Sequence, residues 1–179
     1  MSNLESTPLD RVKTAFQAYC TVVTRTNERQ NYWNSTTKEL IYSTLNLLSV
    51  DLKPMQALNE NSVRNFDTVC LGFGPVPTNI VIHKAAIKGL VKMGGYLFYS
   101  QVFNGKVLVG VSYPYVEELQ DPTPNKGFAI LDPEEVTKEK IFEHVEHFLK
   151  ELTEVERSPS MEEELKKRCK IGFGHQKDD

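Results

Sequence analysis

Two histidines and a glutamate share one face of the most regular helical pattern in the sequence. His144 and His147 are three residues apart, and Glu151 follows one turn later. Neutral imidazoles and a carboxylate at this spacing can bind one metal ion, so these residues are a weak candidate metal site. Because other charged residues surround them and no further cysteine or histidine completes a ligand set, a solvated helix face is the preferred interpretation. No metal or other cofactor is predicted.

The three cysteines raise the question of a nucleophilic mechanism. Cys20 and Cys70 lie in apolar segments and are typical of small core residues, whereas Cys169 lies between Arg168 and Lys170, which favour a thiolate. Cys169, however, falls in a polar tail that offers no fixed geometry. Since the cysteines are odd in number and scattered, we expect reduced thiols in a cytoplasm rather than disulfides.

Two further active-site patterns are incomplete. Residues 72–74 (Gly-Phe-Gly) follow a predicted strand as a phosphate-binding loop would, but Pro75 and Pro77 remove two of the amides that would bind an anion. Acids near predicted strand ends lack the lysine that a metal-dependent nuclease carries on the same strand. These acids are Asp67, Glu117, Glu118, Asp121 and Asp132. These incomplete patterns therefore favour a protein without catalytic activity.

Aromatic side chains are concentrated in residues 96–115 and in a Tyr-Trp pair at positions 32–33. Aromatic residues at this density pair across strands in a core, or they form a contact surface, where tyrosine and tryptophan are enriched. The sequence favours core pairing and a contact surface equally. The residues predicted to form an interface are Tyr32, Trp33, Tyr99, Phe103, Leu108 and Tyr115.

Most of these aromatic residues belong to a hairpin predicted over residues 96–113. An Asn-Gly pair at 104–105, between two β-rich runs, favours a two-residue type I′ turn. Because strand side chains alternate, this turn places Phe98 on the core face and Tyr99 on the other face, opposite Gly110. The second face is half apolar, so it is the predicted contact surface.

The remaining patterns predict helices at both ends of the chain. Apolar residues recur at helical spacing at Leu9, Val12, Phe16, Tyr19 and Val23, and again over residues 40–48 and 141–155. Whether the first two patterns are separate helices or one bent helix is left open. The last helix starts at Asp132 or at Thr137. Strands are predicted at residues 53–58, 68–73 and 127–131, and residues 79–93 combine a β signal with a possible helix over residues 83–93.

This order of elements predicts an α+β fold in a single domain over residues 8–155. Hairpin-linked strands are antiparallel neighbours, so we expect a mainly antiparallel sheet of about five strands with helices packed on it. The polar tail, residues 156–179, could form a short helix and is expected to be mobile.

Composition excludes several classes of function. The chain has 179 residues, of which 40% are hydrophobic and 25% charged, as in a globular domain. A formal net charge of −3 gives no support for binding to nucleic acid. The sequence has neither an apolar run of roughly 20 residues nor a secretory signal, so we expect a cytoplasmic protein without membrane contact.

The leading hypothesis is a non-catalytic cytoplasmic interaction module that self-associates or docks on a larger protein through the aromatic face of the hairpin. One alternative is a small-ligand sensor with a pocket between the sheet and residues 74–93. The other is an enzyme or metal site that uses His144 and His147, with His83 as a further candidate.

Overall fold

A continuous helical run opens the chain in the computed structural model, which describes residues 7–63, 66–83, 87–117 and 123–157. It comprises α1 (Pro8–Tyr32), one π-helical turn (Trp33–Thr37) and α2 (Lys38–Asp51). The two N-terminal helical patterns therefore belong to one helix that is interrupted only by a π-bulge, a known cause of helix bending.

The described residues contain eight strands in two antiparallel sheets. They are β1 (Met55–Val63), β2 (Phe66–Phe73), β3 (Val76–His83), β4 (Ile87–Met93), β5 (Tyr96–Gln101), β6 (Val107–Ser112), β7 (Tyr115–Val116) and β8 (Lys126–Leu131). The larger sheet has the order β1-β2-β5-β6-β8, and β3, β4 and β7 form a separate three-stranded sheet. The α+β class, the five-stranded antiparallel sheet and the central hairpin are confirmed.

The helix option for residues 83–93 is wrong, because residues 87–93 form β4 and pair with β3. The C-terminal helix, α3 (Lys138–Arg157), is confirmed and extends two residues into the predicted polar tail. The rest of that tail, residues 158–179, lies outside the described residues, and so do Cys169 and its two basic neighbours.

The C-terminal helix starts directly after Thr137, which confirms that alternative, and the predicted start at Asp132 is wrong because Asp132 begins a separate turn. Asp132 and Glu135 form a capping box around a short 3₁₀ turn (Pro133–Glu135). The Thr137 hydroxyl then accepts a hydrogen bond of 3.4 Å from the amide of Lys140 in the first turn of α3.

The core lies between one face of the five-stranded sheet and the helices α2 and α3. The helical side contributes Trp33, Ile41, Leu45, Ile141, Val145 and Phe148, and the strand side contributes Val69, Leu71, Leu97, Tyr99, Val107, Val109 and Val111. Burial of these apolar side chains is the main source of stability.

The register of the central hairpin differs by one residue from the predicted one. Val102 and Lys106 close a three-residue loop, and Gly105 adopts φ +78°, as in a type I turn followed by a left-handed residue. Phe98 therefore pairs with Gly110, and Tyr99 moves to the core face opposite Val109. A glycine does make room for a ring, as predicted, but the ring belongs to Phe98: a β-carbon on Gly110 would lie 2.5 Å from its Cζ.

We predict that Gly105→Ala destabilises the fold by about 1–3 kcal/mol, because alanine is strained at positive φ. The new methyl group would also lie 2.7 Å from Cβ of Arg29 and 2.8 Å from the carbonyl oxygen of Thr26. Urea unfolding measures this change. The control is Asn104→Ala, which removes only the 3.1 Å hydrogen bond from the Lys106 amide and costs about 1 kcal/mol. Equal stability of Gly105→Ala and wild type would contradict the observed loop.

Candidate functional site: an uncovered apolar stripe on helix α1

Helix α1 carries an apolar stripe that no described part of the chain covers. Every residue from 8 to 25 is exposed. Leu9, Val12, Phe16 and Tyr19 are 61–65% exposed, and Val23 is 39% exposed. Their alternating spacing of three and four residues is that of the contact positions in a coiled coil. We refer to these five residues as the α1 stripe.

The positions that flank the α1 stripe are mostly uncharged. In the same heptad pattern they are Lys13, Ala15, Cys20 and Val22, and only Lys13 is charged. Val22 is 63% exposed and widens the apolar surface. Cys20 is an exposed free thiol, so its predicted core position is wrong, whereas Cys70 is buried as predicted.

The helical run that carries the α1 stripe continues into the hydrophobic core. Residues 24–31, which follow Val23, are all polar. Beyond them the run leads to Trp33, Thr37 and Ile41, all of which are buried. The run is therefore covered by the sheet in its second half and uncovered in its first half. An amphipathic helix obtains most of its stability from packing of its apolar face, so the first half lacks the contact that usually stabilises such a helix.

Asp132 fixes the direction in which α1 leaves the domain. Its carboxylate lies 3.0 Å from a guanidinium nitrogen of Arg25, 3.0 Å from one of Arg29, and 3.5 Å from Nζ of Lys106. Partial burial alone would raise the pKa of Asp132, but the hydrogen bonds from Arg29 and Arg25 outweigh it and lower this pKa. The carboxylate thus joins α1, the hairpin loop and the turn that precedes α3.

Of the six predicted interface residues, two are fully buried. The indole nitrogen of Trp33 donates a hydrogen bond of 2.7 Å to Asp67, and Tyr99 lies in the core against α3. Neither side chain is available to a partner in this fold, because the π-turn and the shifted hairpin register turn them inward. Phe103 is 87% exposed at the hairpin loop, Tyr32 is 38% exposed, and Leu108 and Tyr115 are partly buried.

The candidate metal residues contact other side chains. The Tyr99 hydroxyl and Nδ1 of His144 form a hydrogen bond of 3.1 Å, and Glu151 lies 3.8 Å from Nε2 of His147. The ring of Phe128 packs against both imidazoles, with centroid distances of 5.4 and 4.5 Å. Over residues 7–63, 66–83, 87–117 and 123–157, no group of three or more potential ligands is positioned to hold a metal ion. The metal site stays a hypothesis without support from these residues.

Glu151 instead links α3 to the edge of the sheet. It accepts hydrogen bonds from the Tyr113 hydroxyl at 2.6 Å and from Nζ of Lys126 at 2.8 Å. The hydrogen bond from Lys126, followed by that from Tyr113, lowers the pKa of Glu151.

The side chains of three other predicted site residues, His83 of β3, Glu118 and Asp121, lie outside the described residues. None of the described helices is both long enough and apolar enough to cross a membrane. Comparison with models of known protein families, with curated proteins and with solved structures gives no match to this chain.

We predict that the stability of the protein falls as the pH decreases through the titration range of an unfolded histidine, near 6.5. Burial is the largest cause that lowers the pKa of His144; Lys140 and His147 lower it further, and Glu143 raises it. The unfolded chain then binds the extra proton first, so acid favours unfolding. The measurement is the free energy of unfolding in urea between about pH 7.5 and 5.

His144→Gln should flatten this profile, because glutamine does not titrate and its side-chain oxygen can still accept the hydrogen bond of Tyr99. Asp132→Asn is the control, and its free energy of unfolding should depend on pH as that of wild type does over the measured range. The pKa of Asp132 is lowered, so the stabilisation from its carboxylate is lost only at a more acidic pH than the one at which the free acid titrates. An unchanged slope in His144→Gln would show that His144 does not cause the dependence.

Proposed function

We propose that this protein is a non-catalytic interaction module that self-associates by packing the α1 stripes of two copies against each other. The single observation that carries the proposal is the exposure of five apolar side chains at coiled-coil spacing on a helix with no buried residue. An apolar surface of this kind, on a helix that extends beyond the domain, is typical of an interaction site.

A second copy of the chain fits this surface by symmetry. In a two-fold pair the same patch serves both partners, and a coiled-coil stripe is complementary to itself. Because Lys13 is the only charged flanking residue, pairing does not bring rows of like charges together. Two neighbouring uncharged positions, Ala15 and Val22, can extend the contact.

The area of the stripe is sufficient for a dimer. From Leu9 to Val23 the apolar side chains present on the order of 600 Å² per copy, so a pair would bury on the order of 1,200 Å² in total. That value is at the lower end of specific interfaces, which argues for a dimer that dissociates on dilution. Phe103, exposed at the hairpin loop beside α1, can add to the contact.

One other feature supports this proposal. The histidine pair and Glu151 contact side chains of their own domain, which favours a structural use for them over a catalytic one.

The test is the double substitution Phe16→Lys with Tyr19→Lys, in the middle of the stripe. Buried aromatic anchors each contribute about 2 kcal/mol or more to an interface, so the dimer dissociation constant should rise at least about 100-fold. Sedimentation velocity over a micromolar to millimolar series measures it. Because both side chains are exposed in one copy, the variant should keep the melting temperature that the wild-type protein shows at concentrations where it is monomeric.

The matched control is Gln17→Lys with Thr21→Lys, which adds the same charge to exposed positions of α1 outside the stripe. It should dimerise as wild type does. Circular dichroism adds a second readout, since loss of the partner should reduce helix content in the stripe variant but not in the control. A wild-type protein that stays monomeric throughout the series, or equal weakening by both double variants, would refute self-association through the stripe.

A further inference from the structure

An apolar cavity of about 550 Å³, open to solvent, lies between the C-terminal half of α3 and the base of the three-stranded sheet. This volume is within the range of small-ligand sites. Its apolar wall includes Phe73, Val76, Pro114, Leu149 and Leu152. The cavity lies some distance along α3 from the Asp132 cluster and does not involve the α1 stripe.

Two consecutive glycines bring the walls of the cavity into place. A β-carbon on Gly94 would lie 2.1 Å from the carbonyl oxygen of Phe73, and one on Gly95 would lie 2.8 Å from Cδ2 of Leu152. Any larger residue at either position would push the loop between β4 and β5 away from its neighbours. The close approach of this loop to α3 therefore depends on the absence of side chains here.

The lining of the cavity includes three charged residues, Lys92, Glu156 and Arg157. Lys92 on β4 forms an ion pair with Glu156 on α3, which connects the two walls, and Arg157 follows directly on the helix. These three side chains carry a net positive charge of one. Since a lysine ammonium has three donors, Lys92 can bind a second carboxylate while it keeps its contact with Glu156.

We propose that this cavity binds a small molecule with an apolar body and one carboxylate, of the kind represented by a medium-chain fatty acid. The apolar body lies against Leu149, Leu152 and Phe73, and the carboxylate is bound by Arg157 and Lys92. An arginine provides two parallel donors that match a carboxylate, so it gives the selectivity for this head group. Binding of this ligand is a second activity, in addition to self-association, and does not depend on it.

The experiment is isothermal titration of the full chain with decanoate, decanol and decylamine below their micelle concentrations. The three probes share one apolar body and differ in head group. Decanoate should bind about tenfold more tightly than decanol, and decylamine more weakly than either. In Arg157→Gln, the affinity for decanoate should fall toward that for decanol, because only Lys92 remains to bind the carboxylate. The affinity for decanol itself should not change.

Thr153→Trp places a large ring at the cavity from an exposed position of α3 and should abolish binding of all three probes. The matched control is Glu154→Trp, one residue further on, which is exposed and does not line the cavity; it should bind as wild type does. Val76→Trp, on the opposite wall, repeats the test if Thr153→Trp fails to fold.

Three results would overturn the proposal. Absence of binding of decanoate to wild type would exclude the ligand class, and equal affinities for the three probes would exclude the carboxylate preference. Unchanged binding in folded Thr153→Trp or Val76→Trp would place any bound molecule elsewhere on the protein. None of these results bears on the oligomeric state.

Discussion

The placement of α1 on the domain depends on the ion cluster around Asp132, because this one carboxylate joins elements that are far apart in the sequence. It binds Arg25 and Arg29 of α1, lies near Lys106 of the hairpin, and directly precedes the turn that leads into α3. An exposed ion pair contributes little to stability, but the side chain of Asp132 is only 16% exposed, and three cations share it. Without this cluster, few contacts would fix the angle at which α1 leaves the domain.

Because the direction of α1 is fixed, the α1 stripe is held in one exposed position on the domain. The helical run that carries the stripe ends among residues of the core, so the exposed stripe and the buried residues belong to one continuous helix. Between them lies the π-turn, where Trp33 is anchored by Asp67 and where Lys38, 2.5 Å from the same carboxylate, completes the contact. The turn adjusts the direction of the helix so that Trp33 and Ile41 both face the sheet.

Regular features of the fold could be predicted from the sequence because they depend on local patterns. The period of apolar residues identified α3, and turn residues identified the central hairpin and the neighbouring strands. Residues 83–93 were ambiguous, since Ile87, Leu90 and Val91 suit a helix as well as a strand, and only pairing with β3 decides between them. The predicted hairpin register was wrong by one residue, because an Asn-Gly pair also fits a three-residue loop with glycine in the left-handed region.

The candidate site was less predictable, for a physical reason. The spacing of the α1 stripe is visible in the sequence, but an apolar helical face is usually buried within its own domain, and its exposure depends on where the rest of the chain lies. The one-residue shift in the hairpin likewise exchanged the two faces of β5 and moved Tyr99 from the predicted surface to the core. The absence of charge beside the stripe was the signal that could have pointed to a contact with another helix.

Helix α3 separates the two proposed binding regions. Its 20 residues span about 30 Å, with the Asp132 cluster before its first turn and the apolar cavity along its last turns. Coupling between two sites requires an element with two arrangements that both sites can bias. The first three turns of α3 bury Ile141, Val145 and Phe148 in a close-packed core, which opposes any sliding of the helix on the sheet. Self-association at one end and ligand binding at the other are therefore expected to be energetically independent.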